Sequence, residues 1–299
     1  MTTKKHNVLI EFVITNQCNK RCKYCDLDFS DNEQSEEDIE IFYKFVSKNQ
    51  KYIENLTINF FWGEPLLQIK KVRKLIERLQ KFSNIRYSLG TNGLLLNEES
   101  FSILSKNNVE LYLSIDTETY THIFLKKYLF SYPKIKINFI LNPHTIRSSF
   151  PIYKQLYETW FRKFNIIPVY ITINWDNKSL LLLRKFRAFV WLFDNVDNYF
   201  FSFFEEPRID TEFIFDTDGF IYKDLHTHFW FLKQFCSTSG DVKKEINDIT
   251  KIGRVRDMPS LTNLIGKDQQ KKLFSKGEKI IKKEGLYKNL SLIHAVIKE

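Results

Sequence analysis

Three of the four cysteines in this 299-residue chain fall within eight positions, in Cys18-Asn19-Lys20-Arg21-Cys22-Lys23-Tyr24-Cys25, directly after the apolar run 8–14. Three thiolates on one short loop can hold three corners of a cubic iron–sulfur cluster, which leaves the fourth iron open to a ligand that is not protein. A structural zinc site is the competing chemistry. It needs four closed ligands, with His6 available as the fourth, and Cys-x3-Cys is an awkward spacing for it. A chance grouping of thiols is the third reading.

Such a loop needs a framework, and the chain has the means to build one. Apolar residues make up 43% of it, with 28 Phe and 14 Tyr, enough for a full core and too many for a disordered chain. The first seven residues are polar, with no apolar segment of the signal-peptide kind. The richest apolar stretch, 179–193, is interrupted by Arg184, Lys185 and Arg187 and does not read as membrane-spanning. The expectation is a cytoplasmic protein without a membrane partner, in a compartment where thiols serve metals rather than disulfides. The net charge of +9 is spread along the chain and partly concentrated at 267–283. It reads as a solvated Lys-rich surface, and with no nucleic-acid motif beside it a nucleic-acid partner is disfavoured.

Apolar periodicity predicts strands at 8–14, 56–62, 85–89, 109–115, 135–141 and 166–173. Helices are predicted between them at 36–48, with Ser35 as N-cap, and at 69–82, 97–106, 120–130 and 146–161. Alternation of this kind implies right-handed βαβ units. The fold class is therefore α/β, a partial (β/α)6 TIM-like barrel of parallel strands with a small C-terminal α+β extension. The division falls at 1–200 for the barrel and 201–299 for the extension. A long helix at 178–196 precedes two strands around an Asp218-Gly219 turn, and the last 60 residues look mainly helical and basic. In such barrels ligands gather at the C-terminal ends of the strands, where the cysteine loop sits.

The cysteine spacing, with aromatic Tyr24 just before the last cysteine, resembles the radical S-adenosylmethionine (SAM) superfamily. Three further segments at successive strand ends carry the same resemblance: Phe61-Trp62-Gly63-Glu64-Pro65, Gly90-Thr91-Asn92-Gly93 and Leu113-Ser114-Ile115-Asp116. The resemblance covers roughly residues 8–145. It implies that Cys18, Cys22 and Cys25 bind one 4Fe-4S cluster whose open iron is chelated by SAM. It further implies that Tyr24, Trp62, Gly63, Glu64, Asn92 and Ser114 line the SAM site, with Glu64 and nearby backbone on the SAM ammonium, an arrangement suited to a carboxylate acceptor. Asn92 would sit near the ribose, and Ser114 near the SAM carboxylate or ribose. Trp62 departs from the family's first glycine, and Lys126 and Lys127 are the only candidates for a basic residue found a helix later.

Residues 212–222 look like the opening hairpin of the auxiliary-cluster (SPASM or twitch) domain of peptide-modifying members, and Ser239-Gly240-Asp241-Val242 resembles a later segment of it. The cysteines of that domain are missing. Asp224, His226 and His228 stand where one is expected and only Cys236 remains, so the extension reads as a degenerate domain that keeps a substrate-binding shape without metal. Cys236 is an inert thiol, a hydrogen-atom donor to a substrate radical, or a metal ligand with His226 and His228.

The resemblance implies an enzyme that reductively cleaves SAM to a 5′-deoxyadenosyl radical and abstracts hydrogen from a substrate. A ribosomally made peptide that is crosslinked, epimerised or similarly modified at C–H is the leading expectation, with another small molecule as the alternative substrate. A reducing partner such as flavodoxin or ferredoxin is implied. The alternatives are activation of a glycyl-radical enzyme, nucleoside or RNA modification, and a non-enzymatic metal-binding interaction protein.

Overall fold

The strands form where apolar residues alternate, and their register places like faces together. Strand β1 (His6–Phe12) pairs in parallel with β2 (Ile53–Phe60), setting Val8 beside Leu56, Ile10 beside Ile58 and Phe12 beside Phe60. All six are buried in the main core, under the helices. A computed structural model describes residues 4–22, 25, 29–115, 132–158, 164–168, 176–191, 211–218, 220–224, 251–257 and 259–261.

Parallel pairing continues through β3 (Ile85–Thr91), β4 (Glu110–Ile115), β5 (Ile135–Leu141) and β6 (Phe164–Pro168). These six strands are the predicted partial barrel. The second strand stops at Phe60, two residues short of prediction, because Trp62 adopts φ +73° and a left-handed residue cannot continue a strand. Beyond β1 the sheet gains three more strands. Strand β7 (Thr211–Phe215) lies parallel to β1, followed by antiparallel β8 (Phe220–Asp224) and β9 (Lys251–Arg254). The order is β6-β5-β4-β3-β2-β1-β7-β8-β9 in one sheet. The hairpin around Asp218 is thus an edge of the barrel sheet.

Helices cover one face. Helix α1 (Glu36–Asn49) starts at a capping box in which Ser35 and Asp38 satisfy each other's backbone N–H. It buries Phe42 and Phe45 against Phe12 and Phe215, with centroids 4.6 Å apart for Phe12–Phe42 and 4.8 Å for Phe42–Phe215. Helix α2 (Ile69–Leu79) carries its apolar stripe on Val72, Leu75, Ile76 and Leu79. It is tied to α1 by the ion pairs Lys74–Glu36 and Arg78–Glu40. Helices α3 (Glu98–Lys106, N-cap Asn97), α4 (Ile146–Glu158) and α5 (Asn177–Trp191) complete the layer. The predicted helix at 120–130 lies outside the described residues, as do 169–173 of the sixth predicted strand and 192–196 of the long helix. Among the described residues no helix is long and apolar enough to cross a membrane.

The face turned away from the helices carries a polar row. Register sets Glu11, Asn59, Ser88 and Glu110 in one row across four strands, and Ser88 Oγ donates to Asn59 Oδ1 at 2.9 Å. The loops after β1, β2 and β3 all leave from the same end of the sheet, which brings the first three sequence motifs together.

Candidate active site

The cysteine loop springs from a rigid root. After β1 the chain runs beside residues 32–34: Gln34 N donates to Ile14 O at 2.9 Å, its side chain donates to Val13 O at 3.1 Å, and Thr15 bridges Glu33. Thr15 is fully buried, so the base of the loop is fixed. Cys18 and Cys22 are half-buried, Cys25 is exposed, and none is in a disulfide. The Lys20 N–H points at Cys18 Sγ (3.4 Å), and Cys25 N donates to Cys22 O at 2.9 Å, which turns the loop back on itself. Burial pushes the Cys18 thiol up from its ordinary range; Glu64 and Cys22 add to this, while the Lys20 N–H and Arg21 oppose it.

Among the described residues no three His, Cys, Asp or Glu side chains already form a metal cage. The donor set nevertheless suits iron. Three thiols outside any disulfide share one loop, and metal binding draws such ligands together as it deprotonates them. His6 opens β1 at the far end of the strand, roughly 20 Å from its close at about 3.3 Å per residue, and so is no fourth ligand.

The segment after β2 is built against this root. Trp62 and Gly63 both take positive φ, +73° and +56°. Gly63 is required twice over, since a Cβ there would lie 2.3 Å from Thr15 O and 2.5 Å from Gln17 O. The next N–H, of Glu64, donates to Gln17 O at 2.7 Å. The Glu64 carboxylate is fully buried. Its Oε1 accepts from Leu66 N (3.1 Å) and Thr91 Oγ1 (2.6 Å), and its Oε2 accepts from Asn92 N (2.9 Å). Burial pushes this carboxyl up to about 6, against the pull of the Thr91, Asn92 and Leu66 donors.

The turn after β3 closes the arrangement. Gly90 leaves room for the Phe61 ring, which a Cβ would meet at 2.5 Å. Thr91 Oγ1 accepts from Gly93 N while donating to Glu64, and Asn92 Oδ1 accepts from Leu94 N. Asn92 Nδ2 reaches Asn19 Oδ1 at 2.8 Å and approaches Cys18 Sγ at 3.9 Å. Cys18, Gly63, Glu64 and Asn92 therefore form one constellation. Ser114 lies on β4 next to Leu113, the register partner of Thr91, and is half-buried opposite Asn138. Tyr24, Asp116, Lys126, Lys127, His226, His228, Cys236 and the segment 239–242 lie outside the described residues.

Of the residues that hold Glu64, Thr91 stood inside the third motif. The Gln17 carbonyl left no such mark.

The sequence fits a known family. Residues 12–176, more than half of the chain, fit the family model described as the Radical SAM superfamily. The chain belongs to the radical SAM superfamily. Membership implies a 4Fe-4S cluster and SAM as cofactors. The chain is 30% identical over 135 residues to the radical SAM cyclopropyl synthase TigE of Paramaledivibacter caminithermalis, covering 38% of this chain and 28% of that protein. It is 26% identical over 277 residues to the cysteine-type anaerobic sulfatase-maturating enzyme of Clostridium novyi, covering 73% of each. Among solved structures, native anSMEcpe with bound AdoMet and Cp18Cys peptide superposes with a TM-score of 0.65 at 18% identity, over 89% of this chain and 82% of that one. That likeness establishes a shared fold, the radical SAM partial barrel. The chain spans little more than a quarter of the length of TigE.

Proposed function

We propose that this protein is a peptide-modifying radical SAM enzyme. The observation that carries the reading is the bridge from the cysteine loop to the buried carboxylate, in which Asn92 touches the Cys18 segment with its side chain and Glu64 with its backbone N–H. Cys18, Cys22 and Cys25 would hold the cluster. The Trp62–Gly63 backbone and the Glu64 carboxylate would take the SAM ammonium, Asn92 and Ser114 would contact its ribose or carboxylate, and Tyr24 would flank the loop. When bound, cluster and SAM together supply one-electron cleavage of a carbon–sulfur bond and a 5′-deoxyadenosyl radical able to take hydrogen from an unactivated C–H bond.

The chain's own part is preorganisation. Thr91, Leu66 and Asn92 fix the rotamer of Glu64 before any ligand arrives. With its carboxyl titrating at about 6, Glu64 is an anion at neutral pH and accepts ammonium protons. A reduced flavodoxin or ferredoxin would deliver the electron, and Cys236 is the candidate hydrogen donor if the modification is an epimerisation. The substrate class is supported by two similarities: to TigE and the sulfatase-maturating enzyme in sequence, and to anSMEcpe, whose structure holds a peptide.

The test is isotopic. A uniformly deuterated peptide library, incubated anaerobically with reduced enzyme and SAM, is expected to pass deuterium into 5′-deoxyadenosine and to yield a modified peptide. SAM cleavage with no deuterium transfer would overturn the peptide assignment.

A further inference from the structure

We propose that Glu11 is a positioning residue for the SAM-side loop and acts through Trp62, an inference that rests on the function proposed above. Glu11 is the penultimate residue of β1, beside the root of the cysteine loop, and is only 6% exposed. A carboxylate in such a place needs strong donors. One of them is the Trp62 indole, whose Nε1 donates to Glu11 Oε2 at 3.0 Å. Trp62 in turn packs on Val13 of the loop root and Ile214 of β7, and its ring stands edge-on to Phe61 with centroids 5.6 Å apart.

The value of that hold lies in the backbone. At φ +73° Trp62 occupies the left-handed region, which disfavours a residue with a Cβ by about five- to thirtyfold. Glycine enters that region freely. A tryptophan stays there when its side chain is fixed elsewhere, and Glu11 with the Val13–Ile214 surface fixes it. The conformation matters because Trp62 and Gly63 orient the peptide groups immediately before Glu64, and Gly63 lies hard against Thr15 O and Gln17 O. Rotation at Trp62 toward ordinary φ swings those groups out of place. Glu11 thus gives a tryptophan at this position the geometry that glycine would adopt unaided, and it does so from the neighbouring strand without touching the ligand.

A double-mutant cycle tests this, read as the SAM dissociation constant of anaerobically reconstituted protein. Glu11→Ala is expected to weaken SAM binding about tenfold, the scale of the left-handed penalty. Trp62→Phe, which removes the indole N–H and shrinks the ring packed on Val13 and Ile214, is expected to weaken it at least as much, with less than the additive loss when combined with Glu11→Ala. In the Trp62→Gly background Glu11→Ala is expected to change affinity less than twofold, because glycine no longer needs the hold. An equal loss from Glu11→Ala in both backgrounds, or no loss in the wild-type background, overturns the proposal. A second readout needs no cofactor: hydrogen exchange of the Trp62 indole N–H in the apo protein is expected to accelerate at least tenfold in Glu11→Ala, and unchanged exchange also overturns it. Wild-type protein that binds no SAM would instead overturn the proposed function, while the apo measurement would still decide the Glu11–Trp62 coupling.

Discussion

Replacing Thr91 with valine probes the best-defined part of the site. The change keeps the shape and deletes one hydroxyl, which donates to Glu64 at 2.6 Å and accepts from Gly93 N at 2.9 Å. In the wild type the Glu64 carboxyl titrates at about 6 in the fold, against 4.5 ordinarily, because burial outweighs its three donors. That difference corresponds to about 2 kcal/mol. Its sign follows from linkage. Between pH 4.5 and 6 the folded protein binds more protons at this site than the unfolded chain, so this group's contribution weakens the fold as pH rises through 6. Thr91→Val removes the strongest donor and pushes the carboxyl further up. Above pH 6, where Glu64 is ionised, the loss of a hydrogen bond to a charged group costs about 1.5–3 kcal/mol. At pH 4.5 the carboxyl is protonated and the cost falls to the neutral range of about 0.5–1.5 kcal/mol. Urea unfolding of the apo protein at pH 4.5 and pH 8, compared by midpoint at constant slope, measures both. Equal destabilisation at the two pH values, or a larger one at pH 4.5, would refute the claim that a buried, desolvated carboxylate ties these loops together.

Other perturbations test neighbouring parts. Gly63→Ala places a Cβ 2.3 Å from Thr15 O at φ +56°, and the combined clash and left-handed penalty is expected to cost about 2–5 kcal/mol in the same urea assay. Glu64→Ala is expected to raise the SAM dissociation constant of reconstituted enzyme at least tenfold, as loss of a charge-assisted partner implies, and an unchanged constant contradicts its role. Cys236→Ala is expected to leave SAM cleavage intact and alter the peptide product, checked by mass and chiral amino-acid analysis; an identical product removes Cys236 from the chemistry.

Much of this was legible because it is local. Apolar runs and alternation located β1 through β5, and Ser35 as N-cap announced the start of α1. The cysteine spacing and the motifs around Glu64 and Asn92 marked residues that the fold brings together. What could not be read involves partners far apart in sequence. Pairing of Val8 with Thr211 makes the C-terminal hairpin part of the barrel sheet, and nothing in the local pattern at either position encodes that register. The end of β2 was misplaced for a related reason. The run through Trp62 looks like a strand, but the turn is dictated by the Thr15 and Gln17 carbonyls crowding Gly63 and by Glu11 holding the indole. Likewise, the suggested role of Glu64 gave no hint that three donors from two loops hold it in place.

The central claim is that the thiols of Cys18, Cys22 and Cys25 hold a cluster with one open iron at the mouth of this barrel. Its most direct test is the yield of 5′-deoxyadenosine from anaerobically reconstituted protein with dithionite and SAM, wild type against each single Cys→Ala variant. About four irons per chain and deoxyadenosine are expected from the wild type, and no deoxyadenosine from any of the three variants. Full yield from any one variant, or a wild-type protein that carries one zinc and leaves SAM intact, would contradict it.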